Sequence, residues 1–452
     1  MSQVQQILED PRRFRRCMVI VLGIAVLVRL AVVVAFWHSW GWQHEEIPDS
    51  WNKLAINLVD NGTFGFVPGQ SIITRGPVFP LVEVLLYLAF GEKYAGWCIS
   101  LFLLDVLTTF LVITLFRKLW GNLPALLAGL FYAVNLPIVY YTAKISQVTS
   151  ILPFVTLYMY LFSSWEYAYS CRWRPWVLGL VSGLMILNKT VYLPIPIACS
   201  ALLVWSKRLE LKQRAFQLLP VALYLVVTTA VVAPWTVRNY VLTGGKLVPV
   251  QALFWELNVQ DVLYYDLTKK VGLDRSEGVT LDYFIEQERQ MLLSNGVSPD
   301  DPKYMSRAKW DYAREQAFRA VYLKWLRQDP RKILHVKVEN LWNFWIRAEN
   351  WQKTRLLILM QVPFLGAVMA SLVILLRRRQ LHRVKYGLVI VLVLWAEHIP
   401  VFAWGRFSLD LVPILSLIFG LGAAAWAVPQ PNAHDSLVAV AARAVADRAP
   451  AP

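Results

Sequence analysis

HEEIPDSWNKLAINLVDNGTFGFVPGQSIITRGPVFP, residues 44–80, is the first long polar interruption in a very apolar chain. It opens with the acids Glu45, Glu46 and Asp49 and closes with Arg75 ahead of Pro77 and Pro80. Within it, Asp49 or Ser50 can cap a helix over 49–62 whose apolar positions are Trp51, Leu54, Ala55 and Leu58, the spacing of one helical face. Asn61-Gly62 ends that helix, and Asn61-Gly62-Thr63 also matches a glycosylation sequon, although a tight turn needs the same residues. A helix of this pattern lies flat on a membrane and holds Asp49 near the headgroups. A capped carboxylate is favoured in its charged form. Asp49 is therefore either only a cap or an ionised weak base, suited to orienting a hydroxyl and unsuited to donating a proton.

The next stretch, 77–91, decides the topology. It is apolar, but short for a core about 30 Å thick, and it carries Glu83. If it crossed, the basic clusters Arg117-Lys118, Arg172 and Arg174, Lys207 to Arg214, and Arg377 to Lys385 would all face outside. If it lies in the interface, they join the N-terminal arginines in the cytoplasm, as the bias of Lys and Arg toward cytoplasmic loops requires. The second arrangement makes 77–91 an outer juxtamembrane helix.

Working outward, ten spans are expected, at about 17–37, 94–116, 122–141, 147–165, 175–189, 190–206, 214–235, 355–376, 384–402 and 408–427. The 452 residues are 57% apolar with 20 Trp, which excludes an ordinary soluble protein of this size. The net charge of +15 is accounted for by cytoplasmic loops, so no nucleic-acid partner is inferred. Arg12, Arg13, Arg15 and Arg16 precede the first span, and no small-residue cleavage site follows it. The expectation is an uncleaved span with a cytoplasmic N-terminus. The four cysteines lie in or beside spans without ligand spacing, predicting neither disulfide nor metal cluster.

The expected fold is an all-α polytopic membrane bundle. Residues 1–235 form a membrane module with a first outer loop at 38–93. Residues 236–354 form an outer helical segment, with helices near 281–294, 304–328 and 330–346. Residues 355–428 return to the membrane, and 429–452 form a cytoplasmic tail. Arg29 and Asp105 fall at similar depths inside spans and are expected to pair.

This topology collects the polar oddities on one face. Lys144, Lys189, Arg238 and Arg406 join Arg75 at outer ends of spans, where Lys and Arg are disfavoured. Each alone reads as a snorkelling anchor. As a set they point to an anionic lipid ligand, and the planar Arg75 suits a lipid phosphate. Glu397-His398 reads as a polar pair lining a cavity, or as a catalytic pair. No P-loop, dinucleotide fingerprint or HExxH is present, so a cytoplasmic nucleotide-sugar donor is unsupported.

The order of these pieces resembles the GT-C superfamily of membrane glycosyltransferases, in the branch of bacterial relatives of protein O-mannosyltransferase and lipid A aminoarabinose transferase. The resemblance rests on D-S-W-x(3)-A-x-N-L-x(3)-G-T-F-G-F from Asp49 to Phe66 and on Arg75-Gly76-Pro77-Val78-Phe79-Pro80-Leu81. It rests also on Pro234-Trp235-Thr236-Val237-Arg238-Asn239-Tyr240 with Gly244 and Pro249, and on Gly405-Arg406-Phe407 through Pro413. It implies a polyprenyl-phosphate sugar as donor and a glycan, lipid or protein as acceptor. Asp49 would be the general base, and Arg75, Lys189, Arg238 and Arg406 would hold the donor phosphate. Glu45, Glu46 and His398 are candidate acceptor or sugar contacts, and no cofactor or metal is implied. The setting it implies is a bacterial cytoplasmic membrane with the active site outside. One departure stands out. Family members often carry an acid in the second outer loop, where this chain has Lys144-Ile145-Ser146-Gln147. Gln147 can hydrogen-bond a sugar or position Asp49 but is no base. A lipid-linked glycan ligase or polymerase, a lipid or sugar transporter, and an inactive scaffold are the alternative readings.

Overall fold

The computed structural model describes residues 9–37, 51–143, 145–167, 172–211, 218–271, 286–298, 306–348, 351–400, 403 and 405–427. Among these the architecture is helical throughout, with one isolated bridge between Val67 and Gln70. The chain is an all-α, multi-pass integral membrane protein.

The first half runs α1 (Pro11–Trp37), α2 (Trp51–Asn61), α3 (Val78–Phe90), α4 (Tyr94–Trp120), α5 (Asn122–Ala133), α6 (Leu136–Ala143), α7 (Gln147–Tyr167), α8 (Arg174–Asn188), α9 (Ile195–Leu211) and α10 (Leu219–Leu242). The second half runs α11 (Phe254–Val271), a helical stretch at 286–294, α12 (Arg307–Gln328), α13 (Pro330–Ile346), α14 (Trp351–Arg377), α15 (Lys385–His398) and α16 (Val412–Ala427) behind a 3-10 turn, Gly405–Leu411.

Six of these units are long and apolar enough to cross a membrane, and a seventh is available if α5 and α6 count as one bent span. The ten expected spans are thus not all matched by full-length helices. The expected span 122–141 is broken by 59°. Asn135 causes the break locally: its side chain accepts from Ile138 N at 3.0 Å, starting a new helix with Pro137 in its first turn. The expected spans 175–189 and 384–402 are helices of 15 and 14 residues. Span 190–206 is interrupted: Lys189 is extended at φ −141°, and a short 3-10 turn precedes α9. The stretch read as juxtamembrane is a separate 13-residue helix, α3.

The bundle is built from pairs. α8 packs along α10, where Gly179 and Gly183 admit Val227 and Val231; a Cβ at either glycine would fall 2.6 or 2.5 Å from the valine side chain. α16 lies buried against α5 and α14. The Arg29–Asp105 pair is present as expected: Nε lies 2.5 Å from Oδ2, and both side chains are fully buried. Ala25 and Ala133 carbonyls accept from the same guanidinium, and Tyr132 and Thr142 hydroxyls donate to Asp105. This network ties α1 to α4, α5 and α6.

Candidate functional site

The C-terminal end of α8 gathers three loops that are far apart in sequence. The first loop arrives at Gly76, where a Cβ would lie only 2.1 Å from the Leu187 carbonyl oxygen. No other residue type admits that approach without moving backbone, which explains Gly76 directly after Arg75. The second loop arrives at Gln147, whose side-chain amide donates to the Asn188 carbonyl and, at 3.1 Å, to Asn188 Oδ1. Asn188 in turn donates to Ser150 at 3.2 Å. The last loop arrives at Asp410, whose two oxygens lie 2.9 and 2.7 Å from Lys189 Nζ, with the Tyr192 hydroxyl donating at 3.0 Å.

Around this hub, α2 and α3 form a lid of apolar contacts. Trp51 meets Phe79 edge-on at 5.4 Å. The Arg75 guanidinium stands 5.1 Å from the Trp51 ring centre and half-buried. Glu83, on the same helix α3, is fully buried with neither carboxylate oxygen hydrogen-bonded, and burial pushes its pKa well up.

Arg238 is held differently. Its guanidinium lies 4.2 Å from the Trp235 ring centre and 5.1 Å from that of Phe64, and donates to Ile72 O at 3.1 Å and Asn239 Oδ1 at 2.9 Å. The rest of the Pro234–Tyr240 motif clamps the following loop. Trp235 Nε1 donates to Val250 O, Thr236 Oγ1 to Pro249 O, and the buried Asn239 to Val248 O and Val250 O. Arg238 lines a cavity of about 350 Å³ whose other walls include Leu58, Phe64, Leu81, Leu187 and Trp235. Among the described residues it is the only charged one of that lining.

The segment after α10 braces the first loop from behind. Asp311 of α12 accepts from Ile73 N at 3.3 Å, and Ala252 N donates to Ile73 O at 2.9 Å. One turn on, Glu315 accepts from Trp255 N and Glu256 N and so caps α11. Arg314 bridges Glu256 at 2.5 Å and Glu288 at 3.3 Å. Burial, against the pull of Arg314, pushes Glu256 up to about 7.

The sequence-derived candidates thus fare unequally. Arg75 and Arg238 converge on the 72–77 loop segment and its apolar surroundings. Lys189, expected on the donor phosphate, pairs with Asp410 of the last loop. Gln147 is spent on Asn188. Arg406 lies 5.3 Å from the Phe407 ring, which stacks on His398 at 4.9 Å. His398 is buried and its Nδ1–H donates to Leu394 O at 2.6 Å. Glu45, Glu46, Asp49 and Lys144 lie outside the described residues. Asp410, Asp311 and Glu315 were missed, and Asn239 was read only as part of the Pro234–Tyr240 motif. Asp410 carried a signal, being an acid inside the apolar run 409–421.

Residues 74–235 match the family described as dolichyl-phosphate-mannose-protein mannosyltransferase, so the matched segment begins beside Arg75 and ends at Trp235. Among solved structures, the Archaeoglobus fulgidus oligosaccharyltransferase in its apo form superposes with a TM-score of 0.50 at 14% identity, over 89% of this chain and 50% of that one. The archaeal oligosaccharyltransferase AglB from Archaeoglobus fulgidus, in complex with an inhibitory peptide and a dolichol-phosphate, gives 0.51 at 13% identity over 96% and 52%. The chain has the GT-C fold. It spans about half the length of the GT-C structures it matches. No curated protein sequence matches it. In GT-C terms, the family segment here holds α3 to α9 and most of α10, and contains the α8 hub apart from its Asp410 partner.

Proposed function

We propose that this chain is a glycosyltransferase that moves a sugar from a polyprenyl-phosphate-linked donor to an acceptor hydroxyl at the outer face of a bacterial cytoplasmic membrane. The observation that carries the reading is Arg238: a cation on two aromatic faces, set in the wall of an apolar cavity and donating to the carbonyl of Ile72, three residues of chain before Arg75. An apolar slot with a planar cation at its rim suits a prenyl chain ending in phosphate.

In this reading, Arg238 and Arg75 bind the donor phosphate and stabilise the charge that grows on it as it leaves. Asp49 takes the proton of the acceptor hydroxyl. The hydroxyl oxygen attacks the anomeric carbon from the face opposite the phosphate, the bond from that carbon to the phosphate oxygen breaks, and polyprenyl phosphate departs with the electron pair. One displacement inverts the anomeric centre. Asp49 stands two positions before Trp51, the residue stacked with Arg75.

Decaprenyl phosphate titrated into the purified chain in nanodiscs tests the phosphate site. Arg238→Ala is expected to weaken binding by about tenfold or more, the scale of a lost charge-assisted contact, with an unchanged melting temperature. Unchanged affinity in that variant would refute the assignment.

A further inference from the structure

α12 and α13 meet at an exposed elbow, Asp329-Pro330, that the proposed reaction does not use. One face of α13 is spent on the protein: Ile333, Val336, Asn340 and Phe344 are buried. Its C-terminal half lies against the last turn of α15. Trp395 Nε1 donates to Leu341 O at 3.1 Å, the Trp345 and Trp395 rings are 6.1 Å apart, and Asn340 Nδ2 is 3.2 Å from Ile399 O. α13 ends at Ile346, and the long span α14 begins at Trp351. Leu341 therefore sits at the depth where spans emerge, and tryptophans at 342, 345, 351 and 395 gather at that level, as they do at membrane boundaries.

The opposite face of α13 is apolar and uncovered. Leu334, Val338 and Trp342, at four-residue steps, are 65%, 48% and 68% exposed. Beside the elbow Lys324, Arg327 and Arg331 are exposed as well. The acids nearby are engaged: Asp329 caps α13 through Lys332 N, and Glu339 meets His335 at 3.1 Å. An apolar stripe that deepens toward a span, with net positive charge at its shallow end, is the pattern of a helix seated in a lipid surface.

We propose that the α12–α13 elbow is a membrane-surface anchor. Leu334, Val338 and Trp342 enter the boundary between headgroups and acyl chains beside α14, and Lys324, Arg327 and Arg331 meet anionic phospholipid headgroups. The anchor would hold the bracing segment, and with it Asp311 and the loop segment at Ile73, at a fixed height over the leaflet. It stands independently of the proposed reaction.

The test uses the full chain with its native cysteines replaced by alanine and a single cysteine introduced by Leu334→Cys, Val338→Cys or Trp342→Cys. Each carries an environment-sensitive fluorophore, in nanodiscs of phosphatidylcholine or of phosphatidylcholine with phosphatidylglycerol, doped with lipid nitroxides. The expected result is blue-shifted emission at 338 and 342, quenched about twofold or more by shallow nitroxides and less at 334. A nitroxide on phosphatidylglycerol should outcompete one on phosphatidylcholine at 334 by about fivefold. Joint Lys324→Glu, Arg327→Glu and Arg331→Glu should remove that preference and leave the quenching at 342. Water-like, unquenched labels at 338 and 342 would overturn the proposal. So would blue-shifted but unquenched labels, which would assign the face to a protein partner or a second copy.

Discussion

Two arginines, one fully buried and one half-buried, are treated in opposite ways. In the membrane core, Arg29 is closed by Asp105 at 2.5 Å, and both are fully buried. At the loop end, Arg238 is held by a carbonyl, an amide oxygen and two aromatic faces. Among the described residues no carboxylate pairs with it. A guanidinium with its own carboxylate is electrically finished, and its partner is the bundle itself. A guanidinium fixed by neutral groups keeps its charge to offer. Lys189 belongs with Arg29: Asp410 and Tyr192 complete it, which makes the end of α8 a joint between loops more than a phosphate grip.

The largest effect should come from breaking the finished pair. Arg29→Ala or Asp105→Ala each leaves a buried charge unmatched, which costs about 3–5 kcal/mol. The double variant should melt at a higher temperature than either single. If thermal melting in detergent shows the double no better, the pairing account is wrong. A smaller but sharper contrast separates the two cations of the loop end. Lys189→Ala should lower the melting temperature and be partly relieved by Asp410→Ala, a coupling read by a double-mutant cycle. Arg238→Ala should spare the melting temperature and lose decaprenyl phosphate. Reversed behaviour would exchange their roles.

The smallest effect tests the brace. The folded chain holds the Glu256 proton up to about 7, whereas an exposed glutamate releases it near 4.5. The folded state therefore binds more protons in that window, and this contribution is fully present at low pH and lost as pH rises toward 7. Glu256→Gln removes the titration and leaves Arg314 its Glu288 contact. Between pH 5 and 8 the melting temperature of the wild type should fall against that of the variant by about 2–4 °C. Parallel curves would mean that Glu256 stays ionised beside Arg314.

The readable parts of the sequence were those with local causes. The amphipathic helix expected over 49–62 is found at Trp51–Asn61, and 77–91 at Val78–Phe90. The helices expected at 304–328 and 330–346 are Arg307–Gln328 and Pro330–Ile346, capped by Ser306 and Asp329. Depth arithmetic along two apolar runs was enough to pair Arg29 with Asp105. α11 was missed because its acids break any apolar face when read alone. In the fold Glu256 meets Arg314, Asp261 meets Lys337, and Asp266 meets Lys332, partners that lie on α12 and α13. The Lys189–Asp410 joint was invisible for the same reason, since it closes over 221 residues of chain. Arg75 and Arg238 were legible as cations expected at the outer ends of spans. What distinguishes them from Lys189 is how each is held, and that is a property of the folded loops.

Mass spectrometry of the lipids that copurify with the wild type and with Asp49→Asn, before and after incubation with cell-envelope extract, tests the account most directly. The expected result is a polyprenyl-phosphate sugar on both proteins, discharged to polyprenyl phosphate by the wild type and retained by the variant. Discharge by both would remove Asp49 as the base. Absence of any such lipid from either would contradict the proposed transfer itself.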